Sequence, residues 1–143
     1  MLYPLVRALI AAELPVLAGH GISMWGYIVL NALEDGPART QAALAQAIGA
    51  DKTRIIATLD ELQQAGLITR EPDPDDRRVR LLSITQAGRQ VQAAAQAAIQ
   101  ANEDRVLSGL PPADRQAFLR SARVLSALPQ EEITGPQEET TGR

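Results

Sequence analysis

A chain of 143 residues has room for one hydrophobic core, since compact domains cluster at roughly 100 to 150 residues, and 45% apolar with 22% charged residues excludes wholesale disorder and fibrous arrangements. The absence of Cys excludes a thiolate nucleophile, a disulfide framework, thiol redox sensing and a cysteine zinc site, and the single His means that Ser-His chemistry or a polyhistidine metal centre would rest on His20 alone. The formal net charge of -3 resides at the end: residues 129–143, PQEEITGPQEETTGR, hold four Glu and one Arg, which leaves 13 basic and 13 acidic side chains in residues 1–128. With only Tyr3, Trp25, Tyr27 and Phe118 as aromatics, the core is built from Leu, Ile, Val and Ala, a mixture that favours helices over a β-sandwich.

The first predicted element runs from Leu2 to about Ala18, an amphipathic helix with Leu2, Leu5, Val6, Leu9, Ile10, Leu14 and Val16 at roughly helical spacing. Gly19 and Gly21 break it, Ser23 caps a second helix carrying Tyr27, Leu30 and Leu33, and Gly36-Pro37 ends that one. Thr40 caps a short third helix with Leu44 and Ile48 on one face, stopped by Gly49. Asp51 caps a fourth, whose Ile55, Ile56, Leu59 and Leu62 supply a buried stripe up to Gly66.

Leu67 to Thr69 and Val79 to Ile84 are strand-forming runs around the turn-rich EPDPDDRR, so residues 66–84 are predicted to form a two-stranded antiparallel hairpin with a charged tip. Thr85 caps a long Ala/Gln-rich helix, Leu110-Pro111-Pro112 breaks it, and a last helix presents Phe118, Leu119, Val124, Leu125 and Leu128. The tail from Pro129 has the composition of a disordered segment. No basic region precedes an apolar core with a cleavage site, and no apolar run approaches the roughly 20 residues of a membrane helix, so the expected location is the cytoplasm, without membrane contact.

Helix, glycine turn, helix and hairpin in this order form a winged helix-turn-helix, a mainly α architecture with a small β-hairpin wing (α+β). Leu44, Ala45, Ile48, Gly49, Ala50 and Ile55 fall where the close packing of the two helices needs them. Outside the core at the start of the second of these helices are Lys52, Thr53 and Arg54, then Ala57 and Thr58, and this half of a recognition helix is the part that reaches base edges. The wing holds Arg77, Arg78 and Arg80, suited to the negative potential of a narrow minor groove, and Asp76 is spaced to orient Arg78 by a charge-assisted hydrogen bond. Plainer readings stand beside these: Lys52 and Arg54 as solvated charges, the three arginines as neutralisers of Asp73, Asp75 and Asp76, and Thr40 as a cap alone rather than a cap that also touches phosphate with Gln41. No carboxylate pair, phosphate-binding glycine loop or nucleophile motif points to an enzyme, and no cofactor or metal is expected.

Residues 21–88 resemble the MarR-type transcriptional regulators, through ISMWGYIVLNAL, TQAALAQAIGADKTRIIATLDELQQAGLITR and DPDDRRVRLLSITQAG. The most specific match is the wing pattern of Asp, any residue, Arg, five residues and Leu-Thr, met here by Asp76, Arg78 and Ile84-Thr85 with Ile for Leu; Gly66, Leu67, Ile68 and Arg70 match a second step. The resemblance implies dimerisation helices at residues 1–20 and 89–128 flanking a DNA-binding domain at 21–88, with a disordered acidic tail at 129–143. It further implies a homodimer on a pseudo-palindromic operator in double-stranded DNA, acting as a repressor and released by a small lipophilic or aromatic anion. The effector would sit near His20, Met24, Trp25 and Tyr27; core packing is the competing role for Tyr27. Many members have a basic residue where this chain has Ala57, which shifts base reading to Lys52, Thr53 and Arg54, and the missing Cys argues against the peroxide-sensing branch. The alternative function is a winged-helix protein-interaction module that binds an acidic partner and never touches DNA.

Overall fold

The computed structural model describes residues 1–36 and 39–135. Its elements are α1 (Leu2–Gly19), α2 (Met24–Glu34), β1 (Arg39–Thr40), α3 (Gln41–Ile48), α4 (Lys52–Gln64), β2 (Ile68–Pro72), β3 (Arg80–Ile84), α5 (Gln86–Leu107), α6 (Pro112–Ser126) and α7 (Gln130–Thr134). The chain divides into two compact units, Met1–Glu103 and Asp104–Arg143, with the boundary inside α5.

Helix starts follow the caps that the sequence offers. Ser23 Oγ accepts from the Gly26 N–H at 3.0 Å, Thr40 Oγ1 from Ala43 at 3.1 Å and Asp51 Oδ1 from Arg54 at 2.7 Å, each satisfying a donor that the first turn leaves open and contributing about 1 kcal/mol. Pro37 lies outside the described residues; α2 stops before it, at Glu34.

The core of the first unit takes fully buried side chains from every helix and from the hairpin: Leu17 of α1, Leu30 of α2, Leu44 of α3, Leu59 of α4, Ile68 and Leu82 of the hairpin and Ala95 of α5. Ile56 departs from the predicted stripe, being exposed, because one position round from Ile55 and Leu59 it leaves the face that α4 turns to the core.

The hairpin forms with Ile68 opposite Ile84 and Arg70 opposite Leu82. It is part of a three-stranded sheet of order β1-β3-β2, since Arg39 and Thr40 pair with Leu82 and Leu81. The sequence reading missed β1 because two residues are too few for an alternating pattern. Thr85 caps α5 as predicted, accepting from the Gly88 N–H at 3.0 Å, and its hydroxyl also donates to the Gly66 carbonyl at 2.8 Å, tying the base of the wing to the end of α4.

Against α2 the contact of α5 is polar. Gln92, buried, donates through Nε2 to Asn31 Oδ1 at 2.9 Å and to Gln96 Oε1 at 3.1 Å, and Arg89 pairs with Glu34 at 3.0 Å. Truncating Gln92 leaves the Asn31 acceptor without this donor, so Gln92→Ala is expected to lower the unfolding free energy by about 1 to 2 kcal/mol, read as a shift in the urea midpoint at unchanged slope.

Both terminal helices leave apolar side chains in solvent. On α1 only Leu17 is buried, while Leu2, Tyr3, Val6, Ile10 and Leu14 are exposed. With only Arg7 and Glu13 charged in 18 residues, α1 is also long and apolar enough to cross a membrane by length and composition, which corrects the expectation that no segment approaches that limit. Partial burial, and next the nearby Glu103 carboxylate, raise the pKa of Glu13 above the ordinary carboxylate value. In the second unit α6 buries none of its side chains, and Phe118, Val124 and Leu125 stand exposed. Gln130–Thr134 form a helical turn where the composition predicted disorder from residue 129, with two Glu in the first turn facing the favourable end of the helix dipole; residues 136–143 lie outside the described part.

Candidate nucleic-acid interface

The turn between α3 and α4 is closed by Gly49 at φ 66° and ψ 29°, a left-handed conformation that costs glycine little, with the Ala50 N–H donating to the Ala45 carbonyl at 3.0 Å. Asp51 then starts α4 at once, so the two helices meet through a minimal turn and the first turn of α4 projects outward. Lys52, Thr53, Arg54 and Ala57 are all exposed. Neither Lys52 nor Arg54 has a carboxylate partner among the described residues, and both sit where the helix dipole disfavours a cation. Thr58 is not available to a ligand as the sequence reading supposed. It is buried, and its hydroxyl donates back to the Arg54 carbonyl at 2.9 Å, as Thr does inside a helix when no other acceptor is near.

Arg54 instead has an aromatic neighbour. Its guanidinium carbon lies 5.8 Å from the centre of the Trp25 ring, at the start of α2, within range of a cation–π attraction. Sequence reasoning assigned these two residues to different sites and missed the pairing, because the 28 intervening positions carry no signal of it.

At the wing tip Asp76 Oδ1 accepts from both the main-chain N–H of Arg78 at 3.1 Å and its Nε at 3.3 Å, the arrangement predicted from their spacing. The loop around it is ordered by Asp73 and Val79: the Asp73 N–H donates to the Val79 carbonyl, and the Val79 N–H to that of Asp76, both at 2.9 Å. The Arg78 side chain is nevertheless 93% exposed, aimed but unburied. The three arginines do not form one cluster. Arg77 borders a depression with Glu71, Pro72, Asp73 and Pro74, whereas Arg80 lies further back with Gln63 and Arg70, and neither Arg77 nor Arg80 makes an ion pair among the described residues. Arg70, which the sequence marked only as part of a motif, ties the wing to the recognition helix: it pairs with Asp60, and its Nε donates to Gln63 Oε1 at 2.7 Å.

Thr40 is committed to its cap and Gln41 is half-buried beside it. Of the four residues assigned to an effector, Met24 and Tyr27 pack against the core, His20 follows α1 with its N–H on the Leu17 carbonyl at 3.0 Å, and Trp25 lies under Arg54.

A helix presented through a glycine turn, exposed cations on its first turn and an arginine-tipped hairpin beside it define a winged helix-turn-helix protein. The family model described as the MarR family matches residues 20–79. The transcriptional regulator HosA of Escherichia coli O111:H- is 30% identical over 97 residues, 68% of this chain and 72% of its own length. A protein of Thauera aromatica assigned to regulation of the hcr operon is 30% identical over 100 residues, 70% of this chain, and the match spans 60% of that relative. Among solved structures, the transcriptional repressor CouR bound to a 23-mer DNA duplex superposes with a TM-score of 0.72 at 30% identity, covering 87% of this chain and 90% of CouR. CouR from Rhodococcus jostii RHA1 bound to p-coumaroyl-CoA gives a TM-score of 0.70 at 26% identity, with 90% of each chain covered. The chain belongs to the MarR family of transcriptional regulators.

Proposed function

We propose that this protein is a homodimeric repressor that places the first turn of α4 in the major groove of an operator and the hairpin tip in the adjacent minor groove. The observation that carries the reading is the pair of exposed cationic sites, Lys52 to Arg54 on α4 and Arg78 held by Asp76 on the wing, on a scaffold braced by Arg70. The DNA complex of CouR supports it by similarity. Lys52, Thr53 and Arg54 read bases, Arg78 enters the minor groove, and Arg77, Arg80, Thr40 and Gln41 contact backbone. Dimerisation covers the apolar side chains that α1 and α6 each leave in solvent, and the protein acts in the cytoplasm. A small lipophilic or aromatic anion near His20, Met24, Trp25 and Tyr27 releases the DNA, a role supported by the p-coumaroyl-CoA complex of CouR.

Selection from a random-sequence duplex pool tests this directly. The expected product is an inverted repeat with half-site centres about 34 to 36 Å apart, one helical turn. A pool that yields no enriched sequence, or a monomer on sizing of the free protein, counts against the reading. Because a dimer presents every cation twice, binding to the selected duplex is expected to fall with added salt at a log–log slope of about -5 or steeper, measured by fluorescence anisotropy.

A further inference from the structure

We propose that Trp25 is a positioning residue for base reading: its ring fixes the direction of the Arg54 guanidinium before DNA arrives. The inference rests on the DNA-reading role of Arg54 proposed above. It starts from how little freedom the backbone of Arg54 retains. The Arg54 N–H is held by Asp51 Oδ1 at 2.7 Å, and its carbonyl accepts from Thr58 at 2.9 Å, so what is left to order is the long side chain. Helices α2 and α4 pack on each other here. A Cβ added to the buried Gly26 would stand 3.4 Å from Leu62 Cδ2, about two turns along α4 from Arg54, so a glycine next to Trp25 is what lets the two helices approach closely. From this neighbouring position the Trp25 ring comes to 5.8 Å from the guanidinium carbon.

The choice of an aromatic partner has a chemical consequence. A carboxylate would orient an arginine equally well, as Asp76 does for Arg78, but it occupies N–H donors and places a negative charge beside the approaching phosphates. Contact with the face of an indole orients the cation through the ring quadrupole, consumes no N–H and leaves the positive charge uncompensated. Arg54, which has no ion-pair partner among the described residues, therefore keeps its fork of donors for a base edge. Among the described residues Lys52 and Thr53 have no aromatic ring over them, which makes Arg54 the preorganised reader of the three.

The test uses the full chain, a duplex selected for the parent protein and an unrelated duplex of equal length. Trp25→Leu is expected to weaken the selected duplex by about threefold per recognition helix, so about tenfold for a dimer, while binding to the unrelated duplex stays unchanged. Trp25→Phe, which keeps a ring, is expected to recover most of that loss. In an Arg54→Ala background Trp25→Leu is expected to change nothing further. Since Trp25 is the only tryptophan, Arg54→Ala is also expected to shift its emission in the free protein, a readout that needs no DNA. The proposal is overturned if Trp25→Leu costs as much without Arg54 as with it, if Phe is no better than Leu, if both duplexes weaken equally, or if the emission of the free protein ignores Arg54. An Arg54→Ala variant that binds the selected duplex like the parent refutes the base-reading role itself, and is recognised as such because the emission shift persists.

Discussion

Lys52→Ala combined with Arg78→Ala is expected to reduce affinity for the selected duplex by about a thousandfold while leaving stability within about 1 kcal/mol of the parent. A dimer loses four contacts in this variant, and at about 1 kcal/mol each the sum corresponds to roughly three decades in the dissociation constant. Stability is spared because both side chains are in solvent. Arg78 is almost fully exposed, its pair with Asp76 is a surface ion pair contributing at most about 1 kcal/mol, and Lys52 makes no ion pair among the described residues. The two losses also differ in kind. Removing Lys52 is expected to change which bases are preferred at its position, whereas removing Asp76 alone, which leaves Arg78 charged but unaimed, is expected to weaken binding less than removing Arg78. Anisotropy titrations beside thermal melts check all of this, and equal binding by parent and double variant would dismiss both contacts.

Gly88→Ala is the opposite case, a substitution far from any proposed contact that acts on the fold. A Cβ at residue 88 would overlap the Leu67 carbonyl oxygen and come within 2.8 Å of Ile84 Cγ1. That carbonyl accepts the Thr85 N–H at 3.0 Å, and Thr85 in turn accepts the Gly88 N–H at 3.0 Å while donating to the Gly66 carbonyl. Displacing Leu67 to make room therefore strains the bonds that join the end of α4, the base of the wing and the start of α5. The clash is with backbone, which cannot rotate away as a side-chain tip can. A destabilisation of about 3 kcal/mol or more is expected, at the upper end of overpacking effects, measured as a fall in the denaturant midpoint. The conformational entropy that alanine would save in the unfolded chain, under about 1 kcal/mol, does not offset it. A melting point within a few degrees of the parent would show that this contact relaxes freely.

Elements whose signals are local were legible from the residues alone. Ser23, Thr40, Asp51 and Thr85 each cap the helix that follows, because the cap is a bond between residues three apart and needs no tertiary partner. The same holds for Gly49 in the turn and for Asp76 with Arg78 two residues away, so the two cationic stretches could be named by spacing. Composition misled where it averaged over structure: the net charge of -3 gives no hint of exposed cations on α4 and the wing, and the acidic tail composition hid the turn at Gln130–Thr134.

What tertiary structure alone decided are contacts between residues far apart in the chain. Strand β1 exists only because β3 offers it an edge, Gln92 is buried only because Asn31 faces it, and Thr58 leaves the interface because the core covers it. Gly88 must be glycine because Leu67 arrives from another element. Arg54 acquires Trp25 in the same way, by the close packing of α2 on α4. The sequence by itself determined a winged helix and which cations it presents, since local caps, a glycine turn and strand-forming runs on either side of a turn-rich loop carry those signals. Which cation is aimed, and by what, depended on packing across the core, and no spacing along the chain encodes that.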